Sequence, residues 1–262
     1  MTSKHGSASP TGATMPRPLD RTELTRFTVV ERWVHRTTST LMMVAIVTAA
    51  FLYLPQLAEL VGRRRLLVTV HEWSGILLPV PLAAGLFFRS LRADLRRLNR
   101  FGAEDHGWAW RAMRRGTGLA GAAGKFNAGQ KWYAALIAGA VLVMMGTGLV
   151  MWFPNLTSLD WRTGSTFVHD WLALIIGVLV IGHIRMALKD PEARHGMRTG
   201  RVSRAWARRE HELWARELDA QELDAQAQDQ ARTRDRGQGP DAGRDGGRTE
   251  EQGRGRGSAD DS

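Results

Sequence analysis

The sequence predicts an all-α integral membrane protein, a four-helix bundle with disordered N- and C-terminal tails. Four apolar stretches lie between about residues 33 and 188, and each approaches the roughly 20 residues that a helix needs to cross a bilayer. Arginine and lysine are concentrated in the links on one side of these stretches. Both ends of the chain are polar and charged, so neither end is expected to bury a core.

The predicted spanning helices cover about residues 33–54, 68–88, 130–153 and 165–188. Pro79 and Pro81 lie inside the second segment, where we expect a kink, because proline cannot donate the helical hydrogen bond. Tryptophan is frequent at the ends of the segments, which is typical of the two membrane–water interfaces. The tryptophans in such positions are Trp33, Trp73, Trp132, Trp152 and Trp161.

The charge distribution predicts the orientation of the chain. Most basic residues lie in the link between the second and third segments and after the fourth segment. The positive-inside rule therefore places both termini and the middle link in the cytoplasm. A basic cluster at Arg63–Arg65 lies on the opposite side, but it is outnumbered.

Three regions are expected along the chain. Residues 1–26 lack the apolar stretch of a secretory signal and are predicted to be a disordered tail. Residues 27–216 form the membrane domain, and the charged residues 217–262 form a second disordered, cytoplasmic tail. Within the domain, residues 201–216 are expected to form an interfacial helix, because Val202, Trp206 and Trp214 can share one apolar side.

Composition excludes several functions. The net charge of +10 does not indicate a nucleic-acid partner, because the basic residues flank apolar runs instead of lining a folded surface. The absence of cysteine excludes disulfides and iron–sulfur clusters from this chain and leaves histidine as its best metal ligand. No nucleophile elbow, phosphate-binding glycine loop or paired carboxylates stand out, so no catalytic residue is predicted.

Four histidines lie within or at the ends of the spanning segments, where ionisable groups are costly and tend to mark function. His169 and His183 are 14 residues apart in the fourth segment, which is roughly 21 Å of helical rise. Fourteen residues also return to within roughly 40° of the same direction. Both rings are therefore expected on one side of the helix, one near each membrane surface.

The predicted orientation sorts these histidines into two pairs by depth. His35 and His183 lie at the cytoplasmic side, whereas His71 and His169 lie at the outer side. Each pair can ligate one haem iron through two imidazoles, which fills both axial positions and suits electron transfer. The alternative is that each histidine is an interfacial residue hydrogen-bonded to lipid headgroups or backbone. The arrangement in level pairs favours two haems.

The segment GKFNAGQK, residues 124–131, precedes the third helix and allows two interpretations. Asn127 and Gln130 have the spacing of a capping box, in which each side chain bonds the other residue's backbone. Alternatively, Asn127, Gln130 and Lys131 offer hydrogen bonds to a quinone carbonyl near the inner haem. Chemistry alone does not decide between a structural cap and a quinone site.

Several stretches resemble the gamma subunit of respiratory formate dehydrogenases, a four-helix, di-haem cytochrome b. The resemblance covers roughly residues 24–216. Its most specific parts are GKFNAGQK and the spacing of His169 and His183; Glu72 and Arg185 depart from the expected pattern. The stretches that carry it are ERWVH (31–35), GKFNAGQK (124–131), HDWLALIIGVLVIGHIRM (169–186) and GMRTGRVSRAW (196–206).

The resemblance implies His71 and His169 as ligands of the outer b haem, His35 and His183 as ligands of the inner one, and Asn127 as a quinone-site residue. It implies a bacterial plasma membrane protein that receives electrons from an iron–sulfur beta subunit. A molybdenum- or tungsten-dependent alpha subunit would supply these electrons by oxidising formate, and a membrane quinone would accept them. The alternatives are the equivalent subunit of another dehydrogenase, such as a hydrogenase, and a haem-free membrane anchor.

Overall fold

The computed structural model describes residues 23–106 and 123–237. The predicted tail segments 1–22 and 238–262, and the middle of the basic link at 107–122, lie outside the described residues. The helices and strands are, in chain order, β1 Glu23–Thr25, α1 Val29–Tyr53, α2 Pro55–Val61, α3 Arg64–Leu77, α4 Val80–Gly85, α5 Arg89–Leu98, α6 Ala128–Trp152, α7 Leu159–Lys189, α8 Pro191–Thr199, β2 Arg201–Ser203, α9 Arg204–Glu210 and α10 Glu212–Gly237.

Four helical segments are long and apolar enough to cross a membrane, which confirms the predicted fold class. These are Val29–Tyr53, Arg64–Gly85, Ala128–Trp152 and Leu159–Lys189. Each begins earlier than the apolar run from which it was predicted. The reason is that the first turn is polar: Thr28, Asn127 and Ser158 are the N-cap residues of α1, α6 and α7.

The second span is interrupted at its prolines, as predicted. Helix α3 ends at Leu77, and α4 begins at Val80, with Pro79 as its N-cap and Pro81 in its first turn. A proline removes one backbone donor and its ring clashes with the preceding turn, so the helix has to break or bend there.

The spans pack as two antiparallel hairpins, α1 against α3 and α6 against α7, and the two hairpins touch each other less. We call the end at which α1 and α6 begin, and α4 and α7 end, the basic end; the opposite one is the far end.

The outward surfaces are apolar: Leu142, Phe167 and Ile181 expose 65%, 65% and 68% of their area. Such a continuous apolar surface suits lipid, so the chain is a multi-pass membrane protein.

A compact cap covers the basic end. It consists of β1, α8, β2, α9 and residues 211–215, and β1 pairs antiparallel with β2 so that Leu24 lies opposite Val202. Gly200 makes the turn into β2 with a φ of +90°, and its carbonyl accepts the backbone N–H groups of Arg26 and Phe27 at 2.8 and 3.1 Å. An added Cβ at Gly200 would lie 2.5 Å from the Phe27 carbonyl oxygen, so glycine is required there.

The cap corrects two expectations. Residues 23–26 do not belong to a disordered tail, because Glu23–Thr25 is a strand. Residues 201–216 do not form one interfacial helix: Val202, Trp206 and Trp214 lie in three different elements and expose at most 3% of their area. These side chains are covered by protein because β2 pairs with a strand almost 180 residues earlier, which local periodicity does not reveal.

Helix α10 also departs from the prediction. A second unit of the chain begins at Arg216, and its described part is helical as far as Gly237, where a disordered tail was expected from residue 217. The stretch is poor in apolar residues but rich in alanine, glutamate, glutamine and arginine, which have high intrinsic helix propensity. Low hydrophobicity argued against a core there, but it did not argue against a solvated helix.

Candidate metal centres between the helices

The four histidines of the spanning helices meet in the two predicted pairs. The ring centroids of His35 and His183 are 6.4 Å apart, and those of His71 and His169 are 6.2 Å apart. The first pair lies toward the basic end and the second toward the far end. In both pairs, one ring comes from the α1/α3 hairpin and the other from α7. Each pair therefore bridges the two hairpins.

The separation of the rings suits a shared metal ion with two axial imidazoles. Two metal–nitrogen bonds of about 2 Å, together with the half-widths of two imidazoles, account for a centroid distance of about 6 Å. Within the described residues, no group of three or more histidine, cysteine or acidic side chains could hold a metal ion. A metal held by these pairs would need its remaining ligands from a cofactor, as an iron in a porphyrin does.

The far-end pair is held by hydrogen bonds from neighbouring helices. His71 Nδ1 lies 3.0 Å from Thr48 Oγ1 and 3.1 Å from the carbonyl oxygen of Ala45, both on α1. His169 Nδ1 lies 2.9 Å from Thr147 Oγ1 on α6. These contacts use Nδ1 and leave Nε2 of both rings available as the metal ligand.

The basic-end pair has a different environment. The ring of His183 stacks on that of Tyr133, with centroids 4.9 Å apart and planes 12° from parallel. Sequence analysis did not single out Tyr133, Thr48 or Thr147. The sequence shows the two threonines only as hydroxyl side chains inside apolar runs. Such a pattern does not reveal which side chain each hydroxyl contacts.

A glycine lies against the far-end pair. A Cβ added at Gly148 would lie 3.5 Å from Cε1 of His169, so a side chain larger than hydrogen there would extend toward the ring. The donor set of paired imidazoles, with this small residue beside one ring, fits a haem.

Paired imidazoles between the helices of a four-span bundle are typical of membrane cytochromes of the b type. A family model described as prokaryotic cytochrome b561 matches residues 26–200, and the chain belongs to that family. Membership implies that the cofactor is haem b.

Individual relatives are cytochrome b556 subunits of formate dehydrogenases. The nitrate-inducible subunit of Escherichia coli K12 is 31% identical over 99 residues, which is 37% of this chain and 46% of that protein, so the match spans about half of its length. The cytochrome b556(fdo) subunit of the same strain is 26% identical over 207 residues, covering 76% of this chain and 94% of that protein. The Haemophilus influenzae subunit is 29% identical over 97 residues, 36% of this chain and 41% of that protein.

The segment 124–131 forms the predicted capping box. The Asn127 side chain accepts the backbone N–H of Gln130 at 2.9 Å, and the Gln130 side chain accepts that of Asn127 at 3.0 Å. Lys131 is buried and forms an ion pair of 2.6 Å with Asp105. The structural interpretation of this segment therefore holds, and it leaves the Asn127 amide N–H groups free of any role in the cap.

A second, largely buried ion pair joins α5 to the segment ahead of α6. Lys125 Nζ is 2.6 Å from both carboxylate oxygens of Asp94, a residue of α5. Burial raises the pKa of Asp94 above its ordinary value, and the charge of Lys125 opposes that rise. The basic link is therefore not uniformly solvated, because α5 buries Leu91 and Asp94.

One histidine of the cap joins the residues ahead of α1 to the segment ahead of α6. His211 donates its Nδ1–H to the carbonyl of Gly124 at 2.7 Å, and its Nε2 accepts from Arg26 at 3.1 Å. Arg26 also bonds the carbonyl of Lys125 and lies over the ring of Trp206. These contacts hold the start of GKFNAGQK against the cap.

Burial and the adjacent Arg26 charge lower the pKa of His211 from 6.5 to about 3. Burial also lowers the pKa of Arg26, to about 10, so the arginine stays charged at neutral pH. Between pH 6.5 and 3, the unfolded chain therefore binds a proton that the folded chain does not bind. The contribution of this site to stability is complete above pH 6.5 and declines as the pH falls through that window.

We expect His211→Phe to lower the free energy of unfolding at pH 7.5 by about 1–3 kcal/mol, because Arg26 and the Gly124 carbonyl lose a buried partner. The variant should also lose less stability than the parent protein between pH 7.5 and 5. Thermal unfolding in detergent at both pH values measures these effects. His195→Phe, a change at a half-buried histidine of α8, is the control, and an equal pH response in parent and His211→Phe proteins would contradict the assignment.

Proposed function

We propose that this chain is the di-haem cytochrome b subunit of a respiratory formate dehydrogenase, passing electrons from an iron–sulfur subunit to a membrane quinone. The observation that carries the proposal is the meeting of four histidines in two ligand-like pairs at different depths. The family match and the formate dehydrogenase relatives support it. The chain itself would not oxidise formate.

In this proposal, His71 and His169 ligate one haem at the far end, and His35 and His183 ligate a second haem at the basic end. Bound haem supplies one-electron transfer without an open coordination position. The protein would fix each iron between two hairpins, exclude water with apolar side chains, and set the two centres in sequence along α7.

We further propose that quinone binds at the basic end near Asn127. The Asn127 side-chain oxygen is used in the cap, but its NH₂ group remains able to donate to a quinone carbonyl. Gln130 is exposed in the first turn of the helix that Asn127 caps. Lys131 lies four residues after Asn127, about one helical turn further along the same face. Lys131 would act through its buried ion pair with Asp105, which holds the ammonium group in a fixed position.

The proposed location is a bacterial plasma membrane with both termini in the cytoplasm. The described basic residues of α5 and of α8 to α9 lie at the basic end, while the far end carries Arg63–Arg65 and Arg162. In this orientation, the far end faces outward and would receive electrons from an iron–sulfur beta subunit, itself supplied by a molybdenum- or tungsten-dependent alpha subunit. The relatives named as formate dehydrogenase subunits support membership of a formate dehydrogenase complex.

A second candidate is the same electron carrier attached to another dehydrogenase, such as a hydrogenase. The family match favours keeping this candidate, because its description names the cytochrome and no particular donor enzyme. A haem-free anchor would leave the level pairing of the histidine rings unexplained.

His183→Ala should leave one haem in the purified protein, because the basic-end centre loses an axial ligand. In native membranes, formate should still reduce an artificial acceptor, but electrons should no longer reach quinone. Haem absorbance and formate-dependent quinone reduction measure the two effects.

His195→Ala changes a histidine outside the spanning helices and should keep both haems and quinone reduction. Two haems in His183→Ala would contradict the pairing of His35 with His183. Reduction of the haems by hydrogen, and not by formate, would favour the hydrogenase candidate.

Asn127→Asp should distinguish the capping role of Asn127 from its proposed role in quinone binding. Aspartate is a good N-cap acceptor for the Gln130 N–H, but it cannot donate a hydrogen bond when ionised. We expect normal folding and haem content, with quinone reduction slowed by roughly tenfold or more. Reoxidation of the reduced haems by a short-chain quinone measures the rate, and an unchanged rate would reduce Asn127 to a structural cap.

A further inference from the structure

Thr48 and Thr147 are hydroxyl side chains inside spanning helices, and each contacts a histidine on the next span. Thr48 of α1 meets His71 of α3, 23 residues later, and Thr147 of α6 meets His169 of α7, 22 residues later. The two hairpins therefore repeat one arrangement, a threonine on the first helix and a ring nitrogen on the second.

The hydrogen-bond direction follows from the donors available. Each hydroxyl has one hydrogen, and it is directed at carbonyls of its own helix: Thr48 Oγ1 lies 2.7 Å from the Val44 carbonyl, and Thr147 Oγ1 lies 2.9 Å from that of Val143. The threonine oxygens are thus left to accept from the rings. Carbonyl oxygens can only accept, and Ala45 and Met144 offer theirs to the same two rings.

The His71 ring therefore carries its proton on Nδ1, which is shared between Thr48 Oγ1 and the Ala45 carbonyl at 3.0 and 3.1 Å. The matching contact of Thr147 assigns the proton of the His169 ring to Nδ1 as well, with Thr147 Oγ1 accepting at 2.9 Å. This leaves Nε2, with its free lone pair, as the ligand atom in both rings.

The basic-end pair lacks this support. Within the described residues, no hydrogen bond joins a ring nitrogen of His35 or His183 to a side chain or carbonyl, and the aromatic contacts of these rings are with each other and with Tyr133. The two candidate centres thus have the same ligands but different surroundings.

We propose that Thr48 and Thr147 are positioning residues that lower the reduction potential of the far-end centre relative to the basic-end centre. An imidazole that donates its Nδ1–H to a good acceptor becomes a stronger electron donor through Nε2, which stabilises the oxidised metal. The difference would direct electrons from the far end toward the basic end. This inference rests on the proposed haem ligation.

The test is a redox titration of the purified protein, followed by haem absorbance. Thr147→Val, Thr48→Val and the double variant remove the hydroxyl acceptors at nearly constant volume. We expect the lower of the two midpoint potentials to shift upward, most in the double variant, while the higher one stays unchanged. The lower component should be the one that disappears in His71→Ala.

Serine variants and an exposed threonine provide the controls. Thr48→Ser and Thr147→Ser keep the hydroxyl and should retain the parent potential. Thr163 of α7 donates to the Leu159 carbonyl in the same way as the other threonines but is exposed and forms no hydrogen bond with a histidine, so Thr163→Val should change nothing. Loss of one haem in a valine variant, with retention in the matching serine variant, would also support a positioning role.

An unchanged lower potential in the double valine variant would overturn the inference, and so would an equal shift of both components. Serine variants that behave like the valine variants would overturn it as well. These results differ from failure of the proposed function, in which the parent protein itself would bind no haem.

Discussion

The pairing of imidazoles inside an apolar bundle is the constraint on which the rest of the structure depends. Four ionisable rings within membrane helices need partners, because polar groups are costly to bury in hydrocarbon. The chain meets this need by turning each ring toward another ring across the gap between two hairpins, 6.4 Å apart in one pair and 6.2 Å in the other. Each pair thus spans the gap between two hairpins that contact each other less than the helices within one hairpin do.

The cap at the basic end joins segments that lie far apart in the sequence. Arg32 and Arg36 of α1 both donate to the carbonyl of Arg198 at 2.7 and 2.9 Å, which places positive charge at the C-terminal end of α8. Arg26 and His211 then bind the backbone ahead of α6. The first span, the helix that follows the fourth span and the segment ahead of the third span are thus bonded together where the quinone site is proposed.

The sequence predicted the bundle, the kink at Pro79 and the pairing of histidines by depth, because each follows from hydrophobic length, proline chemistry or charge asymmetry. It did not predict the strand pair that joins Leu24 to Val202, the acceptor role of Thr48, or the stacking of Tyr133 on His183. These features depend on contacts between distant segments, which no local period records. The helix beyond residue 217 was missed for another reason, since low hydrophobicity was weighed above helix propensity.

Haem stoichiometry of the unmodified protein tests the central claim most directly. The protein would be purified in detergent, its haem extracted and quantified per chain, and a reduced-minus-oxidised spectrum recorded. The account predicts two b-type haems per chain with low-spin spectra, as expected for iron held between two imidazoles. Absence of haem, or a single haem with a high-spin spectrum, would contradict the assignment of the two histidine pairs as axial ligands.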